Sequence, residues 1–201
     1  MIIDYKTIAN TDTEFYKKTY IFDETHHLAR KVGEHYKLLT YLSYKFDDIL
    51  ILDVGTAGGE SSVALAQNPK NKVITYDIAK KWEIENTTTM INHFLQDYSN
   101  IEFRLKDINT EDEELIKSAK IIFFDIAHDG FQERKFTDML YRIGFSGFLI
   151  CDDMHAPFYP NMIHWWNSIN IEKYDLTDIG HSWGSGLVNY SKDKIEIIKN
   201  N

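Results

Sequence analysis

Five short stretches of this sequence concentrate the residue types that could do chemistry. The first, Asp53-Val54-Gly55-Thr56-Ala57-Gly58-Gly59-Glu60-Ser61-Ser62, is rich in glycine and flanked by acids. Glycines let a backbone turn sharply and approach a bound molecule closely. The second and third are lone carboxylates that end apolar runs, Asp77 before Ile78 and Asp107 before Ile108. The last two are Asp125-Ile126-Ala127-His128 and Asp152-Asp153-Met154-His155. Three carboxylates brought together from those two stretches would repel one another unless protonated or bridged by a cation. Their hard oxygen donors favour Mg²⁺, Ca²⁺ or Mn²⁺ over zinc.

These stretches need elements to position them, and the chain supplies an alternation. Apolar runs at 49–54, 72–77, 101–105, 121–125 and 147–151 read as buried parallel strands. Segments 61–67, 86–98, 111–119 and 131–143 carry helical spacing between them, with Thr110 as the expected N-cap of the third. The expected fold class is therefore α/β, a mostly parallel sheet with helices on both faces. After a helix around 162–168, runs at 171–176 and 186–190 are separated by a connection too short for a helix, which predicts an antiparallel hairpin and a seven-stranded sheet. Residues 1–48 read as an N-terminal helical extension, with Leu28, Val32, Tyr36, Leu39, Leu42 and Phe46 on one face. That face could cover the sheet, the ligand, or a second copy of the chain. Residues 49–201 form the remainder of what reads as a single domain.

In an open sheet of this kind ligands bind beyond the carboxyl ends of the strands, where all five stretches fall. Asp77 is then placed to accept hydrogen bonds from ribose hydroxyls, and Asp107 to meet an adenine amino group. A nicotinamide dinucleotide loop needs glycine at its first, third and sixth positions, and from Gly55 the third is Ala57 and the sixth Glu60. No Gly-Lys-Ser/Thr follows, which excludes a P-loop. Asp53 and Glu60 would repel a pyrophosphate but tolerate a sulfonium and an ammonium group. A net charge of −9 without a basic stripe argues against nucleic acid as partner. The composition, 43% hydrophobic and 26% charged, is that of a globular protein. Cys151 is the only cysteine, which suits a reducing compartment, and no run approaches membrane-spanning length, so a soluble cytoplasmic protein is expected.

The segment Leu52-Asp53-Val54-Gly55-Thr56-Ala57-Gly58-Gly59, with Asp77 and the terminal hairpin, resembles class I S-adenosylmethionine-dependent methyltransferases over roughly residues 48 to 191. That resemblance implies a Rossmann-like domain that binds S-adenosylmethionine through Asp53, Gly55, Thr56, Ala57, Gly58, Glu60, Ser61, Asp77, Ile78, Asp107, Ile108 and Asp125. The Asp-x-x-His and Asp-Asp segments resemble those of the metal-dependent O-methyltransferases, including those that methylate macrolide sugars. Carried across, this makes Asp125, Asp152 and Asp153 the ligands of a divalent ion, Mg²⁺ first, and His128 the general base. The metal would lower the pKa of an acceptor hydroxyl, His128 would take its proton, and the oxyanion would attack the sulfonium methyl in line. Adjacent strand residues point to opposite faces, so Asp152 and Asp153 can share an ion only if the strand ends there.

His155 is a further catalytic candidate beside the same cleft, whereas His26, His27 and His35 read as surface or packing residues. Phe158, Tyr159, Trp165, Trp166 and Trp183 could stack on a sugar or flat aromatic acceptor, or serve packing alone. Segment 181–186 reads as a flap near that acceptor, a small molecule or glycan. Two other readings stand beside this one: a metal-independent methyltransferase acting on nitrogen or a carboxylate, and a non-catalytic cofactor-binding domain.

Overall fold

A computed structural model of the chain describes residues 1–15, 35–78 and 97–199. Strands β2 (Leu50–Val54), β3 (Lys72–Asp77), β4 (Ile101–Leu105), β5 (Ile121–Phe124), β6 (Phe148–Cys151), β7 (Lys173–Asp175) and β8 (Gly186–Asn189) form one seven-stranded sheet in the order β4-β3-β2-β5-β6-β8-β7. The five strands from β4 to β6 run parallel, while β8 is antiparallel to both β6 and β7. The expected terminal hairpin is therefore present, with its second strand next to the parallel set. Strand order reverses beside β2, so the carboxyl ends of β2 and β5 flank the crevice where such sheets bind ligands.

Both faces are buried, and alternate residues of each strand feed two cores. Ile51, Phe123 and Ile150 join Leu38, Leu39, Leu42, Val63 and Leu65 on one face. Leu52, Phe124 and Cys151 join Phe136, Leu140, Met162 and Trp165 on the other. The first face is covered by helices α2 (Tyr36–Ser43) and α3 (Glu60–Leu65), the second by α4 (Glu113–Ser118), α5 (Phe131–Ile143) and α6 (Pro160–Ser168). Trp165 and Trp166 are core residues, 1% and 5% exposed; of the five aromatics singled out, Phe158 and Trp183 are exposed and Tyr159 is partly buried.

Two local expectations change, and a third holds. The cap of α4 is Asp112, whose carboxylate accepts from Glu114 N, whereas the Thr110 hydroxyl donates to the Asp107 carbonyl within a 3₁₀ turn at Ile108–Thr110. The N-terminal region is not helical throughout: β1 (Ile2–Asp4) pairs in parallel with β9 (Glu196–Ile198) in a second, two-stranded sheet, ahead of the short helix α1 (Tyr5–Ala9). Alternation of Ile2, exposed, with Ile3, fully buried, favours the extended form there. The connection between β7 and β8 holds only a 3₁₀ turn, Thr177–Ile179. Leu28, Val32, His26, His27 and most of the helix predicted over 86–98 lie outside the described residues. Among the described residues no helix is long and apolar enough to cross a membrane.

Candidate functional site

At the carboxyl ends of β2, β3, β4 and β5 a cleft of about 420 Å³ opens, within the range of small-molecule sites. It is lined by Gly55, Ala57, Asp77, Ile78, Asp107, Ile108 and Asp125 of the expected set, and by Lys106, Asn109, Ile126, Ala127, Asp129 and Gln132, which sequence reasoning did not single out. These belong to loops whose path follows from the strand ends rather than from any motif. Asp77 accepts from Ala57 N at 3.0 Å, tying the glycine loop to β3. Asp107 accepts from both Asn109 N and Nδ2 at 2.9 Å.

Gly55 is fixed by close approach. Its φ is +109°, and a Cβ built there would lie 2.0 Å from the Asp125 carbonyl oxygen. Only a residue without a side chain lets the ends of β2 and β5 come together at the cleft floor.

The other residues expected to touch cofactor stand behind this lining. Asp53 is fully buried, and its Oδ2 accepts from Ser61 Oγ at 3.1 Å, Thr75 Oγ1 at 2.9 Å and Ser62 Oγ. Burial pushes its pKa up to about 6 against the pull of those three hydroxyls. Thr56 shares a hydrogen bond with Thr75 at 2.6 Å, and Gly58, Glu60 and Ser61 are buried around the first turn of α3. Asp53 thus braces the loop from below instead of reaching into the cleft.

Beyond Asp125 the cleft passes into a row of alternating carboxylates and imidazoles. Asp125 Oδ1 lies 3.3 Å from His128 Nε2, and His128 Nδ1 lies 3.7 Å from Asp153 Oδ2. Asp153 Oδ1 is 3.0 Å from His181 Nδ1, which is 3.3 Å from Asp152 Oδ1. Asp152 Oδ1 is in turn 3.4 Å from His35 Nδ1. Both Asp152 and Asp153 reach His181 because β6 ends at Cys151 and Asp153 turns into the left-handed region at φ +55°. Ala127 and His128 adopt the same region at φ +50° and +51°.

The row concentrates negative charge. Burial, and then the facing carboxylate of Asp152, raise Asp125 above the ordinary carboxylate range, although 29% of its side chain still meets solvent. At Asp152 burial also opposes ionisation, but His35 and His181 outweigh it and hold the group well below that range. Glu133 supports the row from α5: its Oε1 accepts the His128 backbone N–H at 3.0 Å, and burial raises its pKa to about 7.

Two histidines in the row were not expected there. His35, read as a surface or packing residue, is 4% exposed and packs against Phe123 and Tyr36 at ring separations of 4.9 and 4.8 Å. His181 comes from the loop before β8, within the segment read as a flap near the acceptor, and its imidazole turns inward to Asp152 and Asp153. His155 takes the opposite course. It pairs with Asp175 at 2.7 Å, outside the row, with 39% of its side chain exposed. Tyr159 stacks on His128 at 5.2 Å, and Phe158 and Trp183 meet edge to face at 5.1 Å on the rim, 63% and 43% exposed.

No family model matches the sequence, and no curated protein matches it closely enough to count as a relative. Solved structures do match in shape. The cofactor-bound Rv0187 protein from MTB superposes with a TM-score of 0.61 at 14% identity, covering 89% of this chain and 95% of its own. The SAH-bound methyltransferase PaMTH1 of Podospora anserina gives 0.59 at 14% identity, covering 90% and 87%. The O-methyltransferase of Bacillus cereus in complex with SAH gives 0.55 at 15% identity, covering 90% and 100%. The chain has the Rossmann-like fold of class I S-adenosylmethionine-dependent methyltransferases.

Proposed function

We propose that this protein transfers a methyl group from S-adenosylmethionine to a hydroxyl of a small molecule or sugar, with help from a divalent cation. One observation carries the reading: Asp125 belongs both to the lining of the cleft and to the row that holds His128. A cofactor in the cleft and a proton acceptor in the row would then face one another across a single residue. The similar structures whose names include SAH or O-methyltransferase support the cofactor and the reaction class.

S-adenosylmethionine, when bound, supplies an electrophilic methyl group on a sulfonium. Gly55, Asp77, Asp107 and Asn109 line the cleft and would hold the cofactor, Asp77 as acceptor for ribose hydroxyls and Asp107 with Asn109 towards the adenine. His128 takes the acceptor's hydroxyl proton on its ring, braced by Tyr159 on one face and by Glu133 at its backbone. Phe158 and Trp183 offer the acceptor an apolar platform beside that ring.

A cation suits the residues present. Asp152 Oδ1 and Asp153 Oδ1 are buried oxygens that face imidazole nitrogens alone, and with Asp125 they crowd three carboxylates at one edge. Asp125, Asp152 and Asp153 would hold the ion, which supplies Lewis acidity towards the acceptor oxygen.

The test is calorimetric titration with S-adenosylhomocysteine, followed by transfer of labelled methyl to a panel of hydroxyl acceptors with and without chelator. Micromolar binding (about −8 kcal/mol) and chelator-sensitive transfer are expected. Absence of cofactor binding removes the reading. A metal-free version of the reaction has one observation in its favour, the imidazoles already interleaved with the carboxylates, and full turnover after chelation selects it.

A further inference from the structure

We propose that His35, His181 and Asp152, with Asp153 beside them, form a site for an imidazole-ligated divalent ion of the Zn²⁺ or Co²⁺ type, in preference to Mg²⁺. The inference revises the ligand set of the cation-assisted reading above, with His35 and His181 in place of Asp125, and rests on that reading only for the use to which the ion is put.

The donor atoms are already spaced for coordination. Tetrahedral bonds of about 2.1 Å to nitrogen or oxygen put neighbouring donors about 3.4 Å apart. Asp152 Oδ1 lies 3.4 Å from His35 Nδ1 and 3.3 Å from His181 Nδ1, and Asp153 Oδ1 lies 3.0 Å from the latter. The three principal donors all fall within 4.8 Å of one another. Such spacing leaves room for one small cation between them.

A second observation concerns burial. Asp152 is 5% exposed and Asp153 7%, and among the described residues each Oδ1 has no donor beside it except an imidazole nitrogen of His35 or His181. Buried carboxylate oxygens normally find a hydrogen-bond donor or a metal. Two carboxylates and one divalent ion sum to zero charge, which suits a buried site. Both imidazole rings are held by packing, His35 against Phe123 and His181 against Trp183 at 5.4 Å, so little ordering remains to be done on binding.

The donor set decides the metal class. Imidazole nitrogens suit zinc, cobalt, iron, nickel and copper, whereas Mg²⁺ demands near-octahedral oxygen and sheds water reluctantly. The expectation of Mg²⁺ came from three carboxylates counted alone. His35 and His181 shift the balance, and they leave Asp125 to partner His128.

The experiment is titration of Co²⁺ into the full chain after chelator treatment, read as the visible absorption of coordinated cobalt, with Zn²⁺ and Mg²⁺ as competitors. Saturation at a single equivalent is expected, with displacement by Zn²⁺ and none by excess Mg²⁺. His35→Gln and His181→Gln should each weaken Co²⁺ binding by about 100-fold or more, while His164→Ala, on an exposed position of α6, leaves it unchanged. Asp125→Asn should alter it by no more than a few-fold, which separates this site from the three-carboxylate set. In the parent chain Zn²⁺ should raise the melting temperature and equimolar Mg²⁺ should not, a comparison that needs no variant to fold. No cobalt uptake, a spectrum indifferent to both histidine substitutions, or Mg²⁺ competing on equal terms would overturn the proposal. Titration with S-adenosylhomocysteine on the same samples reports the methyl-transfer reading separately. A chain that takes cobalt through His35 and His181 but no S-adenosylhomocysteine keeps the site and loses that reading.

Discussion

The cleft under the glycine loop and the histidine–aspartate row adjoin at Asp125, yet they are assembled differently. The cleft is shaped by backbone: strand ends, a glycine whose missing side chain admits the Asp125 carbonyl, and 3₁₀ and loop turns at 106–109 and 126–129. The row is shaped by side chains from four separate places, the start of α2, the loops after β5 and β6, and the loop before β8. A backbone-built region should fail abruptly when its contour is altered. A side-chain-built region should lose chemistry one group at a time and keep its shape.

The sharpest test of that contrast is Gly55→Ala. A methyl group 2.0 Å from a carbonyl oxygen cannot be housed without separating β2 from β5, and the residue also needs φ +109°. Loss of measurable S-adenosylhomocysteine binding is expected, with destabilisation of roughly 3 kcal/mol or more; calorimetry and thermal unfolding read the two effects. His128→Ala should do the reverse. Removing a general base costs on the order of 10²–10⁴ in kcat, while cofactor affinity stays within a few-fold because His128 does not line the cleft. If both parameters fall together, the two regions are not separable.

Asp53 gives an intermediate effect. Its folded pKa of about 6 lies above the ordinary 3.8, so the folded state holds its proton more tightly than the unfolded chain. That contribution to stability is fully present below pH 3.8 and is lost as pH rises through 6. The lost amount is about 3 kcal/mol. Asp53→Asn should flatten the stability profile across that window relative to the parent, measured by denaturant unfolding at several pH values. An unchanged slope would mean Asp53 is ionised and contacts something other than its three hydroxyls. The smallest effect is expected at Asp77→Ala. The hydrogen bond to Ala57 N is lost together with those proposed to the ribose, which should weaken S-adenosylhomocysteine by roughly 10-fold to 100-fold without changing the acceptor KM.

The same contrast explains what could be read from the residues alone. Strands β2 to β6 and the loop from Gly55 to Ser62 are contiguous, and their apolar runs and glycines carry local physics, so their positions follow from spacing. Asp125, His128, Asp152 and Asp153 were legible as strand-end acids and an imidazole. His35 was not, because its place beside Asp152 depends on how α2 lies on the sheet, and nothing near residue 35 encodes that packing. His181 was hidden for a similar reason: its inward turn is set by the β6–β8 pairing, a long-range contact. Asp53 looked like a ligand contact because it precedes the glycines, but the hydroxyls of Ser61, Ser62 and Thr75 close around it first. The β1–β9 pairing escaped notice because each strand has only three residues.

The left-handed backbone at Ala127, His128 and Asp153 has a cost in heat resistance. Each such non-glycine residue gives up on the order of 1 kcal/mol of folding free energy to aim a neighbouring group. Glycine at any of the three positions would relax that burden, and at His128 and Asp153 it would also delete a member of the row. Selection for thermal robustness alone would therefore erode this edge of the sheet, and selection for turnover would restore it. A library of variants ranked by melting temperature should be enriched at these three positions in the clones that have stopped working.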